Sequence, residues 1–426
     1  MMTAKHFANI GETLYTTKLE NGLNIAVVPK KDFAASYACF ATNYGGAHRR
    51  FSLEGKEMDT PAGIAHFLEH KMFDMPDGDN ALNMLSANGA DPNAFTSSAM
   101  TCYYFHCTRS FEENLRLLLR FVSTPYFTDE TVEKEQGIIA QEICMGEDNP
   151  GMVLYYNLLG QLYENHPLKD RVAGTVESIS HISAQTLYDC HKVFYAPSNM
   201  CLCVEGDVDP ERIAEIAREE LSSELCPIPK ADFGTESSLL PLEQYKEAVM
   251  EVSAPQFLIG CKLKAETEGN ALMRQQIVAQ LAMRLLCGGS SPFYTRLYSE
   301  GTLNRDFDYE VDFGTGAGCV LVGGESQEPK KVLEEFNKEV ERICHEGFDE
   351  QSFIRAKRAS SGARLRALED FENVCVALVS GFFEGYDPLD AHEILHSITK
   401  AECEDFVRNE LQPQRLALSV IHGGRA

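Results

Sequence analysis

The chain has 426 residues, enough for two or three domains with substantial cores. Its 38 Lys+Arg stand against 64 Asp+Glu, a formal net charge of −26, which argues against nucleic acid or a membrane surface as the main partner. No apolar run is long enough to span a membrane, no apolar signal core follows the first residues, and the 14 cysteines lack C-x-x-C pairs, as expected of reduced thiols in a cytoplasmic protein.

In chain order, Leu23–Pro29 and Tyr37–Thr42 are predicted strands. A turn at Gly45-Gly46 leads to a helix with Thr60 as N-cap and Pro61 at its first position. On that helix His66-Phe67-Leu68-Glu69-His70 places two imidazoles at i and i+4 and a carboxylate at i+3, all on one face. Ile64, Phe67, Leu68 and Met72 form the apolar stripe beside it. Two imidazoles one turn apart can grip a single Zn²⁺, and the carboxylate can activate water; the order is H-x-x-E-H, the inverse of the commoner zinc-protease motif. A short helix follows at 82–87, then paired strands Asn93–Thr96 and Thr101–Cys107. Ser110-Phe-Glu-Glu113 predicts a capping box opening a helix with Leu115, Leu118, Leu119 and Val122 on one side. The next helix, Thr128–Ile143, carries Glu135 and Glu142 seven residues apart on one face. Such carboxylates commonly border a solvated face; beside a metal motif, one can bind the metal and the other can orient a ligand histidine. Asn149-Pro150 interrupts that helix, and Met200–Val204 is the last strand of the first half.

Residues 222–247, with paired serines, Pro227, Pro229, Gly234 and Pro241, are predicted to be a linker. Beyond it the pattern predicts a strand at 256–263, a helix near 270–287, strands at 307–311 and 319–323 around a glycine-rich hairpin, helices at 329–345 and 349–368, and a strand at 415–421. This order echoes the first half and suggests an internal duplication. The second half also contains a rival motif, His392-Glu393-Ile394-Leu395-His396. Its surroundings describe an ordinary amphipathic helix, the G-x-x-H continuation is absent, and Glu402, Glu404 and Glu410 lie in an acidic helical stretch typical of a solvated face.

Thr60-Pro-Ala-Gly-Ile-Ala-His-Phe-Leu-Glu-His70, Asn93-Ala-Phe-Thr-Ser97, Glu135-x6-Glu142, Gly174-Thr-Val-Glu-Ser-Ile179 and Phe194-Tyr-Ala-Pro-Ser-Asn-Met200 together resemble the insulinase/pitrilysin family of zinc peptidases, which includes the mitochondrial processing peptidases. The resemblance is dense over roughly residues 15–215, thinner beyond, and nearest to a bacterial branch of that family. It implies an α+β fold of two homologous domains, each a mixed β-sheet with helices packed on one face: a zinc-bearing domain over 1–221, the linker, and a metal-free domain over 248–426. It implies one Zn²⁺ per chain, held by His66, His70 and Glu142. It makes Glu69 the general base and adds Glu135 to the catalytic set as the carboxylate that orients a ligand histidine. Asn93, Ala94 and Phe95 become the strand edge to which a peptide substrate adds. The implied activity is endopeptidase cleavage of short unfolded peptides inside a two-half chamber; the alternative is a peptide-binding or assembly subunit without turnover. Active members carry an Arg in the second half followed seven residues later by a Tyr, and both hold the substrate carbonyl. Here Tyr298 and Arg305 occupy those positions in reverse. That departure, with a chain about half the length of the single-chain members, implies a homodimer or a heterodimer with a paralogous chain.

Overall fold

The alternating apolar residues of the first half form a seven-stranded mixed sheet in the order Thr3–Phe7, Glu12–Lys18, Asn24–Pro29, Met200–Gly206, Ser36–Thr42, Thr101–Cys107, Ala90–Thr96. The structure is a computed structural model and describes residues 2–76, 78–266 and 269–424. Neighbouring strands are antiparallel except Asn24–Pro29 and Met200–Gly206, which run parallel. Met200–Gly206 and Ser36–Thr42 are buried along their whole length, which explains their continuous apolar runs. On one face Val27, Phe40, Tyr103, Phe105 and Leu202 pack against helices including Ile64–Lys71, Phe111–Ser123 and Asp129–Glu147. On the other face Val28, Tyr37, Cys39, Cys102 and Cys203 meet Val374, Cys375, Leu378 and Val379 of a single helix, Phe371–Phe383.

The second half forms a five-stranded sheet in the order Tyr245–Met250, Leu416–Gly423, Gln256–Leu263, Ala317–Glu325, Asp308–Gly314. Tyr245–Met250 runs parallel to Leu416–Gly423, and the remaining pairs are antiparallel. This is the topology of the five strands from Asn24–Pro29 to the edge strand Ala90–Thr96 in the first sheet, so the duplication expected from the order of elements is present in the strand pairing. Helix Pro150–Leu162 packs on this sheet through Leu158, Leu159 and Leu162 against Cys319, Leu321 and Ala417.

Each compact unit therefore draws on both halves of the sequence. One comprises the chain up to Ile143, Arg171–Phe233 and Leu365–Leu389; the other comprises Cys144–Asp170, Gly234–Arg364 and the chain from Asp390 onward. The boundary at Phe233/Gly234 falls inside the expected linker, but two helical segments are exchanged. Both exchanged helices begin at a clear cap that restarts the chain: Asn149 Oδ1 accepts from Met152 N, and Asp370 Oδ1 accepts from Asn373 N.

Two expected helix starts are corrected. Ser110 sits at φ 53° with no capping hydrogen bond, so helix Phe111–Ser123 forms without the predicted box. The motif helix begins at Ile64 rather than Pro61: Gly63 at φ 94° is its cap residue, and Thr60 Oγ1 donates instead to Arg49 O. No described helix is long and apolar enough to cross a membrane.

The segment expected to be a linker is anchored by Glu236. Its carboxylate accepts from the backbone N–H groups of Glu164, Asn165 and His166 and from Lys262 Nζ at 2.7 Å. Burial opposes its charge, but Lys262 and those three N–H donors outweigh burial and pull its pKa down to about 2. Lys262 is only 3% exposed, so removing its partner strands a buried cation. Glu236→Gln is expected to destabilise the protein by about 2 kcal/mol, less than for a fully enclosed pair because Glu236 keeps some contact with water. Since the folded pKa is depressed, this contribution is complete above the ordinary value of 4.5 and disappears as pH falls toward 2. Denaturation curves of the two proteins should converge across that window.

Candidate metal centre

The motif helix is held at its entrance by close backbone contact. A Cβ on Gly63 would lie 2.5 Å from Ala173 O, and one on Gly174, at φ 75°, would lie 2.4 Å from Ala62 O. Only glycine fits either position, and Ser178 Oγ clamps the same point by donating to Ala62 O at 2.8 Å. Ile64, Ala65, Phe67 and Leu68 bury one side of the helix, which leaves His66, Glu69 and His70 on its half-exposed face. The two imidazole rings lie 4.6 Å apart between centroids.

Helix Asp129–Glu147 brings its two carboxylates to these rings. Glu142 Oε1 lies 3.4 Å from His66 Nε2, and its Oε2 lies 3.6 Å from His70 Nε2. One donor atom from each of the three residues falls within 4.8 Å of the others, the only such metal-capable group among the described residues. Glu135 Oε1 lies 2.9 Å from His70 Nδ1. With the proton on Nδ1, His70 donates to Glu135 and turns the lone pair of Nε2 toward Glu142. His66 Nδ1 is buried and has no hydrogen-bond partner among the described residues. Two imidazole nitrogens and one carboxylate are a donor set suited to zinc, and Glu142, at 50% exposure, leaves one side of the group open to water.

The electrostatics agree with that geometry. Burial opposes charge on His70, yet the hydrogen bond and charge of Glu135, with Glu69 and Glu142 nearby, raise its pKa above the ordinary histidine value. The hydrogen bond to His70 holds Glu135 below the usual carboxylate range, and the close approach of His66 does the same for Glu142. Glu135→Gln is expected to weaken metal affinity by about 10- to 100-fold while leaving saturated stoichiometry intact, because it acts only through the orientation of His70. Competition with a chromophoric chelator measures this.

Glu69 is positioned from the sheet. Its Oε2 accepts from Thr96 Oγ1 at 2.6 Å, Thr96 lies 3.3 Å from Thr101 Oγ1, and Thr101 donates to Tyr44 O. These threonines were missed as site residues in the sequence reading; their one visible signal was Thr96 inside the Asn93–Ser97 match. The edge strand Ala90–Thr96 lies at the border of the sheet, its outer side paired with no strand among the described residues. Ala94 faces the motif helix, while Phe95 packs toward the opposite core. Asn93 Oδ1 accepts from Ala94 N at 2.9 Å.

Tyr298 and Arg305 lie in the other unit. Tyr298 lies in the last turn of helix Pro292–Ser299, is 42% exposed and stacks on Tyr294, and its nearness raises the pKa of the Arg305 guanidinium. The structure thus brings these two residues to each other. In the rival motif, His392 and His396 approach at 3.2 Å between Nε2 atoms without a third donor among the described residues. Glu402 is taken by Thr399 and Arg274, Glu404 by Phe348 N, and Glu410 by Arg415.

Two family models match the chain: the insulinase model of peptidase family M16 over residues 55–176 and the M16 inactive-domain model over residues 181–360. The chain is 36% identical to YmfH of Bacillus subtilis, called an uncharacterized zinc protease, over 99% of both chains. It superposes with a TM-score of 0.93 and 32% identity on an M16-like peptidase from Alicyclobacillus acidocaldarius, covering 97% of this chain and 99% of that one. Pitrilysin matches with a TM-score of 0.77 at 15% identity, a likeness of fold that covers 99% of this chain but 46% of that one.

Proposed function

The chain belongs to the insulinase family of peptidases, M16, and from that premise we propose that it is a zinc-dependent endopeptidase acting on short unfolded peptides. The observation that carries this reading is the convergence of His66, His70 and Glu142 within 4.8 Å, with Glu69 on the same helix face. Zinc, when bound there, supplies a Lewis acid that acidifies water and polarises a carbonyl. Glu69 has one carboxylate oxygen occupied by Thr96. The other is left to take a proton from the attacking water and deliver it to the departing amine. Glu135 keeps His70 in one tautomer throughout. A peptide added to the edge strand at Asn93, Ala94 and Phe95 would be held through its main chain, which tolerates many sequences. Asn93 Oδ1 releases Ala94 N if that group is to meet the peptide.

We assign the enclosing chamber to two chains, homologous or identical. The support is the match to just under half of pitrilysin's length and the nearness of Arg305 to Tyr298 within its own unit. The fourteen free cysteines support a reducing cytoplasmic setting.

The test is digestion of a peptide library by the pure protein, with zinc analysis and mass in solution, alone and with cell extract. Cleavage of short peptides, about one zinc per chain and loss of activity with a chelator are expected. Bound zinc with no cleavage in either condition overturns the peptidase reading in favour of a peptide-binding subunit.

A further inference from the structure

Two helices hold the same place in the duplicated order of elements. Asp129–Glu147 and Glu350–Ala367 are each the second helix after the hairpin that forms the sheet edge. Each begins two residues after a buried phenylalanine, Phe127 or Phe348, and each is followed by one of the exchanged helices. Their charges are opposite. The first has six carboxylates and one lysine, a net −5; the second has one carboxylate and five cations, a net +4. From Gln351 to Leu368 there is no acidic residue, in a chain whose formal charge is −26.

The outward charges on both helices are unpaired. Glu135 and Glu142 turn to the metal group, whereas Glu130, Glu133 and Glu147 are exposed. On the second helix Lys357 donates to His396 O and Ile398 O, and Arg364 to Gln280 Oε1, whereas Arg355, Arg358 and Arg366 are exposed. None of these three glutamates and three arginines forms an ion pair among the described residues. Charged helix faces are ordinarily solvated, but two features set these apart. Phe353 is the single buried residue of the eighteen in Glu350–Ala367, although helices in folded proteins draw most of their stability from a covered face. On Asp129–Glu147, Gly137 lies one turn beyond Glu133, and a Cβ there would have nothing within 4 Å among the described residues. Glycine weakens a helix interior, and its own chain gives no reason for it; it is the residue that lets another backbone come close.

We propose that two copies of the chain associate through these helices, Glu350–Ala367 of each lying against Asp129–Glu147 of the other. This rests on the two-chain reading above and names its contact. The exchange is isologous: each copy gives one basic and one acidic helix, so the same pair of surfaces is used twice. Arg355 and Arg358 are one turn apart, as are Glu130 and Glu133, about 4.5 Å of rise in both cases, so two ion pairs form in register. Salt screens charges more than about 8 Å apart, so the local signs at the contact, rather than the −26 of each chain, decide whether copies meet.

The experiment is sedimentation equilibrium of the full-length protein across the micromolar range. The wild type is expected at twice the 47.4 kDa mass of the chain. Arg355→Glu with Arg358→Glu sets acidic helix on acidic helix, and Glu130→Lys with Glu133→Lys sets basic on basic. Each double variant alone should associate about tenfold more weakly or worse. An equimolar mixture of the two restores opposite signs at both contacts and should return to the wild-type mass, a recovery that misfolded chains cannot give. A dimer that survives either pair of substitutions, or variants that stay apart when mixed, overturns the proposal and leaves the two-chain reading standing. A monomeric wild type overturns it too. Gain of mass in cell extract would then keep the two-chain reading with a homologous partner, and no gain would end that reading as well. Turnover plays no part in the readout, so the peptidase reading is judged separately.

Discussion

Glu69→Gln is expected to leave zinc content unchanged and to lower kcat by about 10²- to 10⁴-fold, the range that positioned proton transfer contributes. The substitution is nearly isosteric. Its amide oxygen can still accept from Thr96, which now donates to Oε2 at 2.6 Å, so the side chain keeps its place. What it loses is a basic oxygen for the proton of water. Metal analysis beside peptide turnover separates the two effects. Near-wild-type turnover would remove Glu69 from the mechanism, and loss of zinc would make it a ligand instead.

His66→Ala and His70→Ala should each reduce zinc from about one per chain to background and abolish turnover. Either change leaves only two of the three donors that converge within 4.8 Å, and no other described group can replace the missing one. A second readout is independent of activity. A ligand that binds only the folded state stabilises it by about 4 kcal/mol when its free concentration is a thousand times Kd. Added zinc should therefore raise the melting temperature of the wild type and leave that of either variant unmoved. His392→Ala is the matched control and should behave as wild type, since His392 and His396 have no third donor among the described residues. Loss of zinc from the His392 variant would reverse the choice between the motifs.

Where geometry depends on short-range spacing, the sequence is informative. His66, Glu69 and His70 share a helix face because i, i+3 and i+4 must, and Glu135 and Glu142 share another because they are seven apart. Most strands were visible from apolar runs; Thr101–Cys107 and Gln256–Leu263 occupy the expected residues. What pattern could not supply was pairing at long range. That Glu142 meets the two histidines, and that Thr96 meets Glu69, depends on which elements pack together. Local signals also misled. Ser110 has the composition of a cap, yet its backbone adopts a left-handed conformation in which the side chain makes no cap. Thr60-Pro61 looked like a helix start, but the approach of Ala62-Gly63 to Ala173-Gly174 delays the helix to Ile64. The exchanged helices were hidden for the same reason, since their apolar faces do not say which sheet they cover.

That exchange sets a timetable for synthesis. When Met200–Gly206 leaves the ribosome, the first sheet has all its strands, but the helix covering one face is still untranslated. Roughly 180 residues must follow, which at about 5–20 residues per second takes on the order of ten to thirty seconds. For that interval a nascent chain holds Val28, Cys39, Cys102, Cys201 and Cys203 on an uncovered surface, and these are the residues that Val374, Cys375 and Leu378 later bury. A half-length fragment would stay in that condition permanently, with sticky, alkylatable thiols where the finished protein has an unreactive core. Chaperone dependence during translation, and rescue of each fragment only when the other is made in the same cell, follow from where two short helices are encoded.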